Sequence, residues 1–68
     1  MSHIAKIIEV VGSSDTSWAD AADAAVSTAS ETVSGITGVE VEHMTATVAD
    51  GKIVKYKTTV KIAFAVGH

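Results

Sequence analysis

The chain has 68 residues, no cysteine and a formal net charge of −3, so one domain of this size lies near the limit at which a single core is stable without a disulfide, a metal or assembly. Five lysines in no cluster, with no arginine, leave no electrostatic footprint for nucleic acid. No apolar run approaches the ~20 residues of a membrane span, and Met1-Ser2-His3-Ile4-Ala5-Lys6 has neither the basic start nor the apolar middle of an export signal; the expected location is cytoplasmic, with no membrane partner.

Ile4 to Val11 is dense in β-branched residues and reads as a first strand, closed by the turn composition Gly12-Ser13-Ser14-Asp15. A helix follows from about Ser17 to Ser34. Ser17 can cap its first free N–H groups, with Asp20 three residues on as a weak capping box and Asp23 adding favourable charge at the helix start. Trp18, Ala22, Ala25, Ala29 and Val33 recur at helical spacing, and Gly35 stands where a left-handed stop belongs. A stripe made mostly of alanine lets the helix lie close to a sheet.

Asp50-Gly51 separates two long alternating runs, about Gly38 to Ala49 and Lys52 to Val66. Both central residues of a type I′ hairpin turn need positive φ, which Asp and Gly tolerate, so the runs are paired strands, each about 40 Å long. With these two residues at the turn, Val41 faces Val60, Val39 faces Ile62 and Glu40 faces Lys61. In the last strand Val54, Tyr56, Val60, Ile62 and Phe64 form the face expected under the helix, and Trp18 is expected to pack the helix start onto it. On the opposite face Met44, Ala46 and Val48 are expected to meet Lys57, Lys55 and Ile53, beside Gly38, Glu40, Thr59 and Ala63. One short helix cannot cover both faces of so long a sheet. The chain is therefore expected to complete itself with further copies of itself, and that second face is the expected subunit contact or ligand platform.

The order strand, helix, hairpin, with Lys6-Ile7-Ile8-Glu9-Val10-Val11-Gly12-Ser13-Ser14, Ser17-Trp18-Ala19-Asp20-Ala21-Ala22, Val39-Glu40-Val41 and Asp50-Gly51-Lys52-Ile53, resembles the dodecin family over nearly the whole chain. The resemblance implies an α+β fold in a single domain over residues 1–68. In it a β-α-β-β subunit wraps a three-stranded antiparallel sheet around one helix, and twelve copies form a hollow shell of cubic symmetry. Strand three must then be central, because the hairpin joins it to strand two and the helical crossover returns strand one to its other side. Many dodecins bind pairs of flavins between subunits and store them without catalysis. Flavin-binding members carry a stacking Trp just before the Val-Glu-Val of strand two and a Gln after the Tyr of strand three; here those places hold Gly38 and Lys57. Loss of a stack worth about 1–3 kcal/mol lowers affinity roughly tenfold to a hundredfold. The cation after the Tyr, Lys57, makes the chain resemble more closely the flavin-free branch known as calcium dodecin.

The expected function is thus a non-catalytic small-ligand storage shell with weak or absent flavin binding, its candidate cofactor-binding residues being Gly38, Met44, Lys57 and Thr59. The alternatives are a purely structural assembly, a shell for calcium or a phosphate-bearing cofactor, and residual flavin storage. Lys57 reads as an anion hook or as an ordinary solvated charge, and Gly38 as an emptied pocket or a place of close subunit approach. Glu9, Glu40 and Glu42 could offer oxygens to a hard cation, but Glu40 has Lys61 opposite it, so a cross-strand pair is preferred and no metal ligand is assigned. His43 lacks a second His or Cys at metal spacing, and His3 and His68 are read as terminal residues. No Ser-His-Asp arrangement or Gly-rich phosphate loop points to an enzyme.

Overall fold

A computed structural model describes residues 4–66, leaving His3 and His68 outside the described residues. The elements are β1 (Ile4–Ser14), α1 (Trp18–Ala29), β2 (Ile36–Ala49) and β3 (Lys52–Val66). They form one antiparallel sheet in the order β1-β3-β2, so β3 is the central strand as its cleaner alternation demands. Asp50 and Gly51 have φ of 52° and 74°, the two left-handed residues of the tight hairpin turn.

β1 continues three residues past its expected end, and Gly12, Ser13 and Ser14 are paired with Thr58, Lys57 and Tyr56 instead of turning. Gly12 owes its place to packing. A Cβ there would stand 2.0 Å from the Ala21 carbonyl oxygen and 3.0 Å from the Ala25 Cβ, so the absence of a side chain lets the helix backbone rest on the strand.

Ser17 caps α1 as expected, with an extended backbone and its hydroxyl accepting the Asp20 N–H at 2.9 Å. The Asp20 carboxylate accepts from Thr16 instead of completing a capping box. At the other end the helix stops at Ala29, short of the expected Ser34. Ser30 donates its hydroxyl to the Ser27 carbonyl at 2.7 Å, and the Thr32 and Val33 amides both turn back to Ala29 at 3.1 and 2.9 Å. Such local side-chain and turn bonds compete with continued helix in a Ser/Thr-rich segment. Gly35, with φ of 77°, acts later, steering the chain into β2, where its carbonyl accepts the Ala65 N–H at 2.9 Å.

The helix presses Ala25 and Ala29 onto Val60 and Ile62 of β3, flanked by Ile8, Val10, Ala22, Val26 and Ile36, while Ala21 is buried where the helix rests on Gly12 of β1. The buried line thus runs through Ala21, one residue from the expected Ala22, and Val33 lies beyond the helix. α1 sits over β1 and β3 and barely reaches β2. Val39 and Val41, although paired with Ile62 and Val60 on the helix side, remain 48% and 50% exposed. Beyond the Ser14–Tyr56 pair, β2 and β3 run on as a two-stranded arm whose Val48, Ile53 and Val54 are exposed. Val54 therefore lies outside the helix cover, contrary to its expected place.

Candidate functional site

The face of the sheet turned away from α1 is built in cross-strand rows. Ile7, Ala63 and Gly38 form one row, Glu9, Lys61 and Glu40 the next, then Val11, Thr59 and His43, then Ser13, Lys57 and Thr45. Gly38, Lys57 and Thr59 share this face as expected. A Cβ at Gly38 would meet nothing within 4 Å, so within one chain its surroundings are open. Lys57 lies six residues along β3 from Ala63, the residue opposite Gly38, which separates the two positions by about 20 Å. A flavin ring is too short to reach both positions inside one subunit.

Met44 is the exception among the candidate residues. It pairs with Thr58, and Ala46 with Tyr56, so both belong to the helix side, and Lys57 and Lys55 face Thr45 and Thr47 in their place. The cause is an extra residue in β2: Val41 pairs with Val60 and His43 with Thr59, leaving Glu42 as the bulged residue. The sequence carries the signal for it. Apolar positions change phase from Val39 and Val41 to Met44, Ala46 and Val48, which is what one inserted residue does when the same face stays apolar.

The bulge also redirects the ion pair. Glu40 lies opposite Lys61 in register, yet the Lys61 ammonium reaches the Glu42 carboxylate, at 2.9 Å. The hydrogen bond from Lys61, then its charge, hold the Glu42 carboxyl below the ordinary carboxylate value. Lys61 is raised in turn by its bond and charge interaction with Glu42, and further by the charges of Glu40 and Glu9. Glu42 alone is paired with the ammonium, while Glu9 and Glu40 flank Lys61 in its cross-strand row. Among the described residues no three His, Asp or Glu side chains gather as a metal would require. Glu42 is taken up by its pair with Lys61, and Lys61 stands between Glu9 and Glu40 in their row.

Trp18 anchors the helix start to the hairpin. Its ring meets Tyr56 edge-on with centroids 4.8 Å apart, its indole N–H donates to the Thr45 carbonyl at 2.8 Å, and its own carbonyl accepts the buried Thr58 hydroxyl at 2.8 Å. The single tryptophan is therefore committed to the fold, on the side away from Gly38 and Lys57.

The family model for dodecin matches residues 4–67. The chain belongs to the dodecin family. Among solved structures it is similar to the dodecin from Streptomyces coelicolor, with 27% identity, a TM-score of 0.92, and 97% of this chain and 94% of that chain covered. Calcium dodecin from Mycobacterium tuberculosis, described as a calcium-chelating antigen with a novel calcium-binding site, is 32% identical, with a TM-score of 0.81 over 94% of this chain and 91% of that one. The dodecin from Streptomyces davaonensis, at 24% identity and a TM-score of 0.93 over the full length of both chains, supports the fold. No curated protein matches the sequence. The dodecin β1-β3-β2 sheet and single helix are those described above.

Proposed function

We propose that this dodecin is a non-catalytic subunit of a twelve-membered shell that holds small ligands between subunits and binds flavin weakly or not at all. One observation carries the reading: in the family frame the two positions that would stack a flavin ring and bond its edge hold a glycine with open space around it and a lysine. Both stand on the uncovered sheet face. Their separation of about 20 Å along one subunit means that one flavin ring could use both only from two subunits, in keeping with storage at subunit contacts. Lys57, flanked in its row by the hydroxyl residues Ser13 and Thr45, suits an anionic ligand such as a phosphate-bearing cofactor better than a flavin edge. Thr59 lies one row away on the same face, while Met44 on the helix side is left out of this site.

A second reading, a cation-holding shell, is favoured by the 32% identity to a calcium dodecin. Since Lys61 takes up Glu42 and stands between Glu9 and Glu40 in their row, calcium would have to bridge subunits. Titration of riboflavin into the purified protein tests the primary reading. Fluorescence is expected to stay essentially unquenched at micromolar protein, and tight quenching there would overturn it. Isothermal titration with calcium, in the same preparation, separates the two readings.

A further inference from the structure

A second bulge sorts the side chains of the hairpin arm. Thr47 pairs with Lys55 but Val48 with Ile53, so β3 carries one extra residue at Val54. Side chains alternate along the regular strand β2, which puts the Val48–Ile53 pair on the helix side and the Ala49–Lys52 pair on the outer face. Without the bulge, Lys52 would point away from Lys55 and Lys57. With it, three of the chain's five lysines share one face, all exposed. Thr47 stands opposite Lys55, and Thr45 and Ser13 stand on either side of Lys57, so hydroxyl groups fill the same rows. Lys55 and Lys57 are about 7 Å apart along the strand.

No carboxylate balances this face. Between residues 43 and 57 the sole acid is Asp50, in the turn. The next carboxylate down β2, Glu42, is taken up by Lys61, which is the one lysine with an ion pair among the described residues. Three ammonium groups on one strand repel one another, and an anion that reaches two of them at once relieves the repulsion.

We propose that the outer face of the hairpin binds a soluble ligand carrying two or more linked phosphate groups. Lys55 and Lys57 pair with adjacent phosphates, the hydroxyls of Ser13, Thr45 and Thr47 donate to the phosphate oxygens, and Lys52 extends the site toward the turn. This names the ligand class for the reading of Lys57 as an anion-selecting residue, on which it rests. It does not need Gly38, about 20 Å away, so the site stands apart from the emptied stacking position.

Inorganic pyrophosphate, titrated calorimetrically into the assembled protein in buffer free of divalent cations, tests the site. It is expected to bind, with orthophosphate about tenfold weaker because it offers one phosphate to two lysines. Lys55→Gln should weaken pyrophosphate by about tenfold. Lys6→Gln removes the same charge from the helix side, opposite Phe64, and should change it by less than about twofold. An equal loss in both variants would show diffuse attraction and overturn the proposal, as would no binding of pyrophosphate at millimolar concentration. Adenosine diphosphate run alongside separates a free diphosphate from a nucleotide, and affinity at least matching that of pyrophosphate upholds the linked phosphates as the group recognised. Riboflavin quenching in the same preparation keeps the two readings apart. Unquenched riboflavin without pyrophosphate binding defeats the phosphate site alone, whereas tight quenching defeats the flavin-poor reading whatever pyrophosphate does.

Discussion

A Cβ added at Gly12 would stand 2.0 Å from a backbone carbonyl oxygen of α1, while one added at Gly38 meets nothing within 4 Å. Backbone cannot move aside as the tip of a flexible side chain can, so Gly12→Ala is expected to destabilise by about 1–3 kcal/mol through overpacking, and Gly38→Ala to stay within about 0.5 kcal/mol. Urea unfolding of the two variants side by side checks both. The open space at Gly38 also makes a large substitution there tolerable. If the scaffold otherwise keeps the family's flavin site, Gly38→Trp with Lys57→Gln should restore riboflavin quenching, and each single change only part of it. A normally assembled double variant that ignores riboflavin would show that the pocket has diverged beyond these two residues. Neither glycine's role was visible in composition alone. Gly12 sits in a sequence that reads as a turn because Gly, Ser and Asp favour turns, and only its pairing with Thr58 shows it to be strand.

At the scale of the elements, β1's start, β3 and the hairpin turn were legible because alternation and Asp-Gly chemistry are local. The helix end and the β2 bulge were less so, since each is decided by a balance: Ser/Thr hydroxyls against helix propagation, and one extra residue against a regular ladder. Two predictions belong here. Trp18→Phe keeps most of the ring contact with Tyr56 but loses the N–H to the Thr45 carbonyl, and is expected to cost about 1 kcal/mol of stability, read by chemical denaturation followed by circular dichroism. The second concerns Glu42 and Lys61. The folded Glu42 carboxyl lies below its ordinary value near 4.5, so its contribution is present above that value and is lost as pH falls through the lowered one. Lys61 lies above its ordinary 10.5, so its share is present below that value and lost as pH rises past the raised one. Glu42→Gln should therefore flatten the acid limb of a stability-versus-pH curve by a small amount, the pair being solvent-exposed. An unchanged acid limb would assign the pair no role in folding.

The whole molecule is elongated, about 55 × 20 × 13 Å across its Cα atoms, and exposes 4793 Å², against about 4,000 Å² for a compact monomer of this mass. Its fully enclosed core is small, with Val60 and Ile62 the largest apolar side chains in it. That the sheet would outrun its helix cover was legible from strand length against helix length. The location of all the uncovered surface was not: the outer sheet face was foreseen, but the helix side of β2 became visible only with the lateral placement of α1 over β1 and β3, which no periodicity encodes. Native mass spectrometry of the purified protein tests the central claim most directly, because it reports subunit number and retained ligand together. The expected result is a single species of twelve chains, about 84 kDa from twelve times 7.0 kDa, carrying no flavin mass. A folded monomer, or a twelve-chain species loaded with flavin, would contradict it.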